Sequence, residues 1–118
     1  MTQQRTTGIA GTGSYAPERS VDNAFFEGIL DTNDEWIRQR TGIAARRYVA
    51  EGEENSHMCI AAAKEALDAA GVKAEELDLI VVATISGDYQ MPATACLVQT
   101  ALGASKAGAF DVQAACSG

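Results

Sequence analysis

The stretch LDLIVVATIS, residues 77–86, is apolar and rich in β-branched side chains, with no alternation of polar and apolar positions. A strand with one wet face alternates, whereas a continuous run is the pattern of a strand covered on both faces within a parallel sheet. Such a strand cannot stand alone in water, so helices must precede and follow it. AGAFDV, residues 107–112, is a second buried run of this kind. Between the two lies MPATACLVQTALG, where Pro92 suits the first turn of a helix and Gly103 stands just past its end. Strands alternating with helices predict an α/β fold with a parallel sheet.

The upstream half reads in the same terms. In DTNDEWIRQRTG, Thr32 and Glu35 form the T-x-x-E pattern of a capping box, Asp34 and Glu35 fall in the positive first turn, Arg38 and Arg40 in the last, and Gly42 ends the segment. This predicts a helix from Asn33 to about Arg40. A short helix is expected within NAFFEGIL, and a longer one from His57 to Ala70, capped by Ser56 and ended by Gly71. The alanines of the longer helix allow a neighbouring backbone to approach closely. TTGIAGTGSYAPE is expected to form a short strand around Gly8 to Gly11, followed by a glycine-rich turn closed by Pro17. Its glycines run G-x-x-G-x-G and Pro17 interrupts soon afterwards, so they do not match a dinucleotide fingerprint, which needs G-x-G-x-x-G leading straight into a helix. No internal repeat, low-complexity tract or linker stands out.

Composition narrows the function classes. Over 118 residues, 9 basic against 16 acidic side chains give a net charge of −7, which argues against a general affinity for nucleic acid or anionic membranes. The charge is uneven: all six arginines (Arg5, Arg19, Arg38, Arg40, Arg46, Arg47) lie in the first 47 residues, leaving room for a local anion site there. Arg46 and Arg47 could also meet the phosphates of a ligand, but a solvated basic loop is the preferred reading and no role is assigned to them. Cys59, Cys96 and Cys116 are odd in number and widely spaced, which fits neither a disulfide framework nor a metal site, and predicts a reducing, cytoplasmic setting. The N-terminal residues lack the apolar core of a signal peptide, and no stretch approaches the length of a membrane span.

Cys116 follows a predicted parallel strand and opens a predicted helix, at the edge of the sheet where α/β folds place ligands and where a helix N-terminus favours a thiolate. The alternative for any lone cysteine is a small buried hydrophobe, which is the reading for Cys59 and Cys96 among their alanines. Trp36 and Arg40, four residues apart on the predicted helix, share one face, and a flat aromatic beside a cation suits an adenine and its phosphates. A core tryptophan with a surface arginine is the competing reading. Asp111, inside a strand, reads as a paired structural carboxylate, and His57 as a helix-start residue.

Taken in order, GTGSYAPE, DTNDEWIRQRTGI, LIVVATIS, MPATACLVQ and AFDVQAACSG closely resemble the N-terminal part of the β-ketoacyl-acyl-carrier-protein synthase III family. The resemblance covers essentially the whole chain but about the first third of a family member. It implies a thiolase-like fold, here the N-terminal part of its first half, with a mixed, largely parallel sheet layered with helices. It also implies an acyltransferase that starts fatty-acid synthesis by condensing an acyl-CoA primer with malonyl-acyl-carrier protein, without a metal or cofactor. By the same resemblance Cys116 matches the nucleophile that carries the acyl group as a thioester, its backbone N–H supplying half of an oxyanion hole. Trp36 matches the residue that stacks on the adenine of coenzyme A, and Thr32 and Arg40 match neighbours that contact the same nucleotide. Met91 matches a position on a loop that crosses a homodimer interface to line the partner subunit's acyl pocket.

Family members complete the site with a histidine and an asparagine from the C-terminal half, and the single histidine here, His57, is not at that position. The chain is therefore expected to be one piece of a longer enzyme, completed by a C-terminal polypeptide that carries both residues. A related starter-unit condensing enzyme or acyl transferase of polyketide metabolism is the nearest alternative, and a truncated, non-catalytic remnant is the alternative of another class. Many family members carry phenylalanine where this chain has Met91, and a flexible thioether fills space differently from a flat ring. Met91→Phe is thus expected to change the primer chain-length preference of the intact enzyme; an unchanged profile across short and branched acyl-CoA primers would refute this.

Overall fold

The computed structural model describes residues 6–118. Arg5, counted above among the clustered arginines, lies outside the described residues. The chain forms two units, one from Ala16–Glu53 and the other from the residues up to Tyr15 together with Glu54–Gly118.

The larger unit is built on the two runs read from the sequence. Leu79–Ala83 (β1) and Gly108–Val112 (β2) pair in parallel, Val81 opposite Phe110 and Val82 opposite Asp111. The intervening helix, Thr94–Leu102 (α1), packs against both strands and against the long helix Asn55–Ala70 (α2). Val82, Ala95 and Val98 form the buried centre, with Ile60, Ile80, Leu102 and Ala109 packed around them. Burial of a valine-sized side chain stabilises by roughly 1.5–3 kcal/mol. Within this chain one face of the strand pair is covered. Alternate residues Leu79 and Val81 are 54% and 48% exposed and Phe110 is 46% exposed, because the packed helices lie on the side of Ile80, Val82 and Ala109.

Helix boundaries differ from the sequence reading wherever a distant side chain supplies the cap. The helix expected from Pro92 starts at Thr94, where the Asp111 carboxylate accepts from the backbone N–H of Thr94 and of Ala95, both at 2.8 Å. The long helix starts at Asn55 rather than His57. Ser56 is not its cap: its N–H donates to Asp88 at 2.8 Å, while His57 Nδ1 accepts from the N–H of Glu54 at 2.9 Å. Gly71 and Gly103 end their helices in the left-handed conformation, as read from the sequence.

The strand expected around Gly8 to Gly11 is not formed; residues 6–17 make no ladder pairing. The segment lies instead along the alanine face of α2, and the Ser14 N–H donates to Glu65 at 2.7 Å. A Cβ on Gly11 would sit 2.6 Å from the carbonyl oxygen of Ala66 and 2.7 Å from the nitrogen of Ala70. Gly13 is equally confined, against Ala62 and Ala66. These glycines serve close backbone approach, the use foreseen for the alanine-rich helix.

The smaller unit contains two strands the sequence reading missed, Arg19–Asp22 (β3) and Ala45–Tyr48 (β4), paired antiparallel with Val21 opposite Arg46. Both are short, polar and largely exposed, so they carry no hydrophobic period. Between them stand Asn23–Glu27 (α3), capped by Asp22, and Asp34–Thr41 (α4).

Gly11→Ala is expected to destabilise the intact protein by about 1–3 kcal/mol, since the added methyl meets backbone rather than a flexible side chain. Chemical denaturation measures this, and a change under about 0.5 kcal/mol would show that the segment can shift away from the helix.

Candidate active site

At the C-terminal edge of the parallel pair, the ladder continues by one bond from the Thr84 N–H to the carbonyl of Val112 at 3.1 Å. The chain then turns back through Ala115, whose φ of 46° is left-handed, a conformation that costs a non-glycine residue about 1–3 kcal/mol. Cys116 follows directly and is exposed. It borders an open pocket of about 370 Å³ together with Ala83, Thr84, Ile85, Ser86 and Ala115. Ala115–Ser117, the last residues before Gly118, form a 3₁₀ turn.

The other two thiols are in different settings. Cys59, half-buried in α2, donates to Asn55 Oδ1 at 3.2 Å, and burial, followed by the nearby Asp88 and Asp111 carboxylates, pushes its pKa up. A thiol held protonated is a poor nucleophile. Cys96 is likewise part-buried, in α1. Asp111 is engaged by two backbone N–H groups and acts as the structural carboxylate it was read to be.

The second cluster of candidate residues lies in the smaller unit. The cap of α4 is Asn33, whose side chain accepts from the Trp36 N–H at 2.8 Å; the expected cap, Thr32, stands one residue earlier. Glu35, expected to close a capping box, accepts instead from Gln39 at 3.1 Å. Thr32 is thereby released from capping, and among the described residues its buried Oγ1 has no hydrogen-bond partner. Trp36 is 53% exposed in this chain, and the Arg40 guanidinium lies 5.7 Å from its ring centroid. Thr32 and Trp36 line one pocket of about 510 Å³, whose wall is mostly apolar. Met91 and Cys116 belong to the larger unit, 86% exposed in the case of Met91.

Arg46, which lines this pocket, and Asn23, which holds it, were given no role in the sequence reading. Asn23, 1% exposed, donates from Nδ2 to Asp34 at 2.8 Å and to the Ile43 carbonyl at 2.9 Å, and its Oδ1 accepts from Arg46 Nη1 at 2.7 Å. Arg46 is therefore held in a strand and half-buried, not in a solvated loop, and it lines the pocket. The hydrogen bond from Asn23, and then that from Arg38, hold the Asp34 carboxyl below its usual value. A buried asparagine and a turn-forming one look alike in a single sequence, so no local signal marks Asn23.

No family model matches the chain. It is, however, 57% identical over 110 residues to β-ketoacyl-acyl-carrier-protein synthase III of Desulfotalea psychrophila and 52% identical over 111 residues to that of Clostridioides difficile. The chain is a homologue of β-ketoacyl-acyl-carrier-protein synthase III. These matches take in 93% and 94% of the chain, which spans about a third of each synthase's length, 34% in both cases. The crystal structure of the Aquifex aeolicus 3-oxoacyl-acyl-carrier-protein synthase III superposes with a TM-score of 0.88 at 51% identity, covering 93% of this chain and 35% of that one. A priming β-ketosynthase from a polyketide biosynthetic pathway gives 0.85 at 40% identity, covering 90% and 32%. The fold is thus α/β and of the thiolase type seen in the synthases. Among the described residues no group of three or more histidine, cysteine or acidic side chains could hold a metal ion, and no helix is long and apolar enough to cross a membrane.

The contrast between the thiols predicts their reactivity. Brief treatment of the intact protein with iodoacetamide near pH 8 is expected to alkylate Cys116 well before Cys59, read by peptide mass spectrometry. Equal rates would show that exposure and the desolvated setting of Cys59 do not govern the chemistry.

Proposed function

We propose that this chain is the N-terminal part of a thiolase-like domain in an acyltransferase that condenses an acyl-CoA primer with malonyl-acyl-carrier protein to begin fatty-acid synthesis. The observation that carries the proposal is an exposed thiol on a left-handed turn, at the C-terminal edge of a parallel strand pair, in a chain more than 50% identical to synthases of this name. Cys116 is the nucleophile. Its sulfur attacks the thioester carbonyl carbon, the bond from that carbon to the coenzyme A sulfur breaks, and the cysteine proton ends on the departing thiol. The Cys116 N–H contributes to an oxyanion hole. Decarboxylation of the malonyl group and attack on the acyl-enzyme require the histidine and asparagine, supplied by a complementary C-terminal polypeptide.

Thr32, Trp36 and Arg40 bind the nucleotide of coenzyme A. The unpartnered Thr32 hydroxyl, the open indole face and the cation beside it support this reading, since each is a group whose partner a purine nucleotide can provide. Met91, on its exposed loop, lines the acyl pocket of a partner subunit in a homodimer, and the enzyme works in the cytoplasm without metal or cofactor. The similarity to a polyketide priming ketosynthase favours a starter-unit condensing enzyme as the second reading, distinguished by a preference for longer or branched primers.

Incubating the intact protein with acetyl-CoA is expected to add one acetyl group at Cys116, detected by mass, and Cys116→Ala is expected to reduce incorporation to background. Failure to acylate with any acyl-CoA, even when the complementary polypeptide is supplied, would sink the proposal and favour a non-catalytic remnant.

A further inference from the structure

The end of β1 and the segment after it form one wall of the pocket beside Cys116, through Ala83, Thr84, Ile85 and Ser86. A residue from a distant part of the chain fixes this wall. Asn55, half-buried as the first residue of α2, donates from Nδ2 to Thr84 Oγ1 at 2.9 Å and to the Ser86 carbonyl at 3.0 Å. Its Oδ1 accepts from the Cys59 thiol at 3.2 Å, so both ends of the amide are engaged and its orientation is set. Burial, and then the Asp88 and Asp111 carboxylates, keep that thiol protonated and so able to donate. Thr84 Oγ1 also accepts from the Ser86 N–H at 3.1 Å, which closes the segment on itself, and just beyond it Asp88 accepts from the Ser56 N–H at 2.8 Å. On its other side the Thr84 N–H holds the wall to the Val112 carbonyl, on the strand that leads to Cys116. Without the Asn55 amide, the Thr84 hydroxyl and the Ser86 carbonyl each lose a donor and the wall loses its tie to α2. Acyl transfer is sensitive to such a change, since displacing a reacting group by about 1 Å can slow a step by about 100-fold.

We propose that Asn55 is a positioning residue for acyl transfer to Cys116: by holding Thr84 and Ser86 it sets the wall against which the acyl group lies as the sulfur attacks. The proposal deepens, and rests on, the reading of Cys116 as the nucleophile. Asn55→Ala tests it in the intact protein, since alanine suits a helix and the change removes the amide. Single-turnover acetylation by acetyl-CoA, followed by mass, is expected to slow about tenfold at saturation, while the half-saturating concentration and the final extent stay the same. Alkylation of Cys116 by iodoacetamide, which reports the thiol itself, is expected to keep its rate. A merely structural role predicts fewer molecules acetylated, each at the unaltered rate; that result overturns the proposal, as does an equal slowing of alkylation. Thr84→Val removes one of the same bonds from the other side, so the double variant is expected to be about as slow as the slower single one. Losses that multiply overturn the proposal. Should Asn55→Ala not fold, Thr84→Val alone decides: slowed acetylation at an unaltered half-saturating concentration supports the proposal, and an unaltered rate overturns it. An unaltered protein that no acyl-CoA acylates would bring down the nucleophile reading and this proposal with it. Acetylation that proceeds but is indifferent to Asn55→Ala removes the role of Asn55 alone.

Discussion

The carboxylate of Asp111, reaching from β2 to the backbone N–H groups of Thr94 and Ala95, is the contact on which the larger unit depends. α1 has no side-chain cap of its own, since Ala93 stands at its N-cap position. A carboxylate accepting two backbone N–H groups supplies the missing cap and favours the positive end of the helix, each such bond being worth about 1.5–3 kcal/mol. It also ties the strand that leads to Cys116 to the helix that follows the Met91 loop. Thr94, beneath it, is fully buried, and a Cβ on Gly87 would come within 2.6 Å of the Thr94 hydroxyl oxygen. Helix, strand and loop therefore meet around one acidic side chain.

The smaller unit has its own organising residue in Asn23. With both amide hydrogens and its carbonyl oxygen engaged, it joins α3, the first turn of α4, the chain after α4 and β4. A fully satisfied buried amide specifies one arrangement of these short elements, which bury few apolar side chains of their own. The consequence for chemistry is indirect. Asp34 is kept ionised, Arg46 is held against Phe26, and the pocket beside Trp36 acquires a cation whose position is settled before any ligand binds.

Much of this was legible in the sequence. The parallel strands were visible because their side-chain pattern reports burial directly, and the helix ends at Gly42, Gly71 and Gly103 because a left-handed terminus selects glycine. The pairing of Trp36 with Arg40 followed from helical spacing alone. At two helix starts where the reading went astray, a residue distant in the chain had intervened. Asp111 moved the start of α1, and Asp88 took the N–H of Ser56.

The sequence by itself therefore determined the elements whose causes are local: hydrophobic runs, helical spacing, glycine termini, and a cysteine just past a strand. The tertiary structure alone decided what depends on groups brought together from afar. It turned Arg46 from a loop residue into a fixed cation and desolvated Cys59. The physical reason is that hydrogen-bond satisfaction and burial are properties of a whole neighbourhood, and a neighbourhood exists only once the chain has folded.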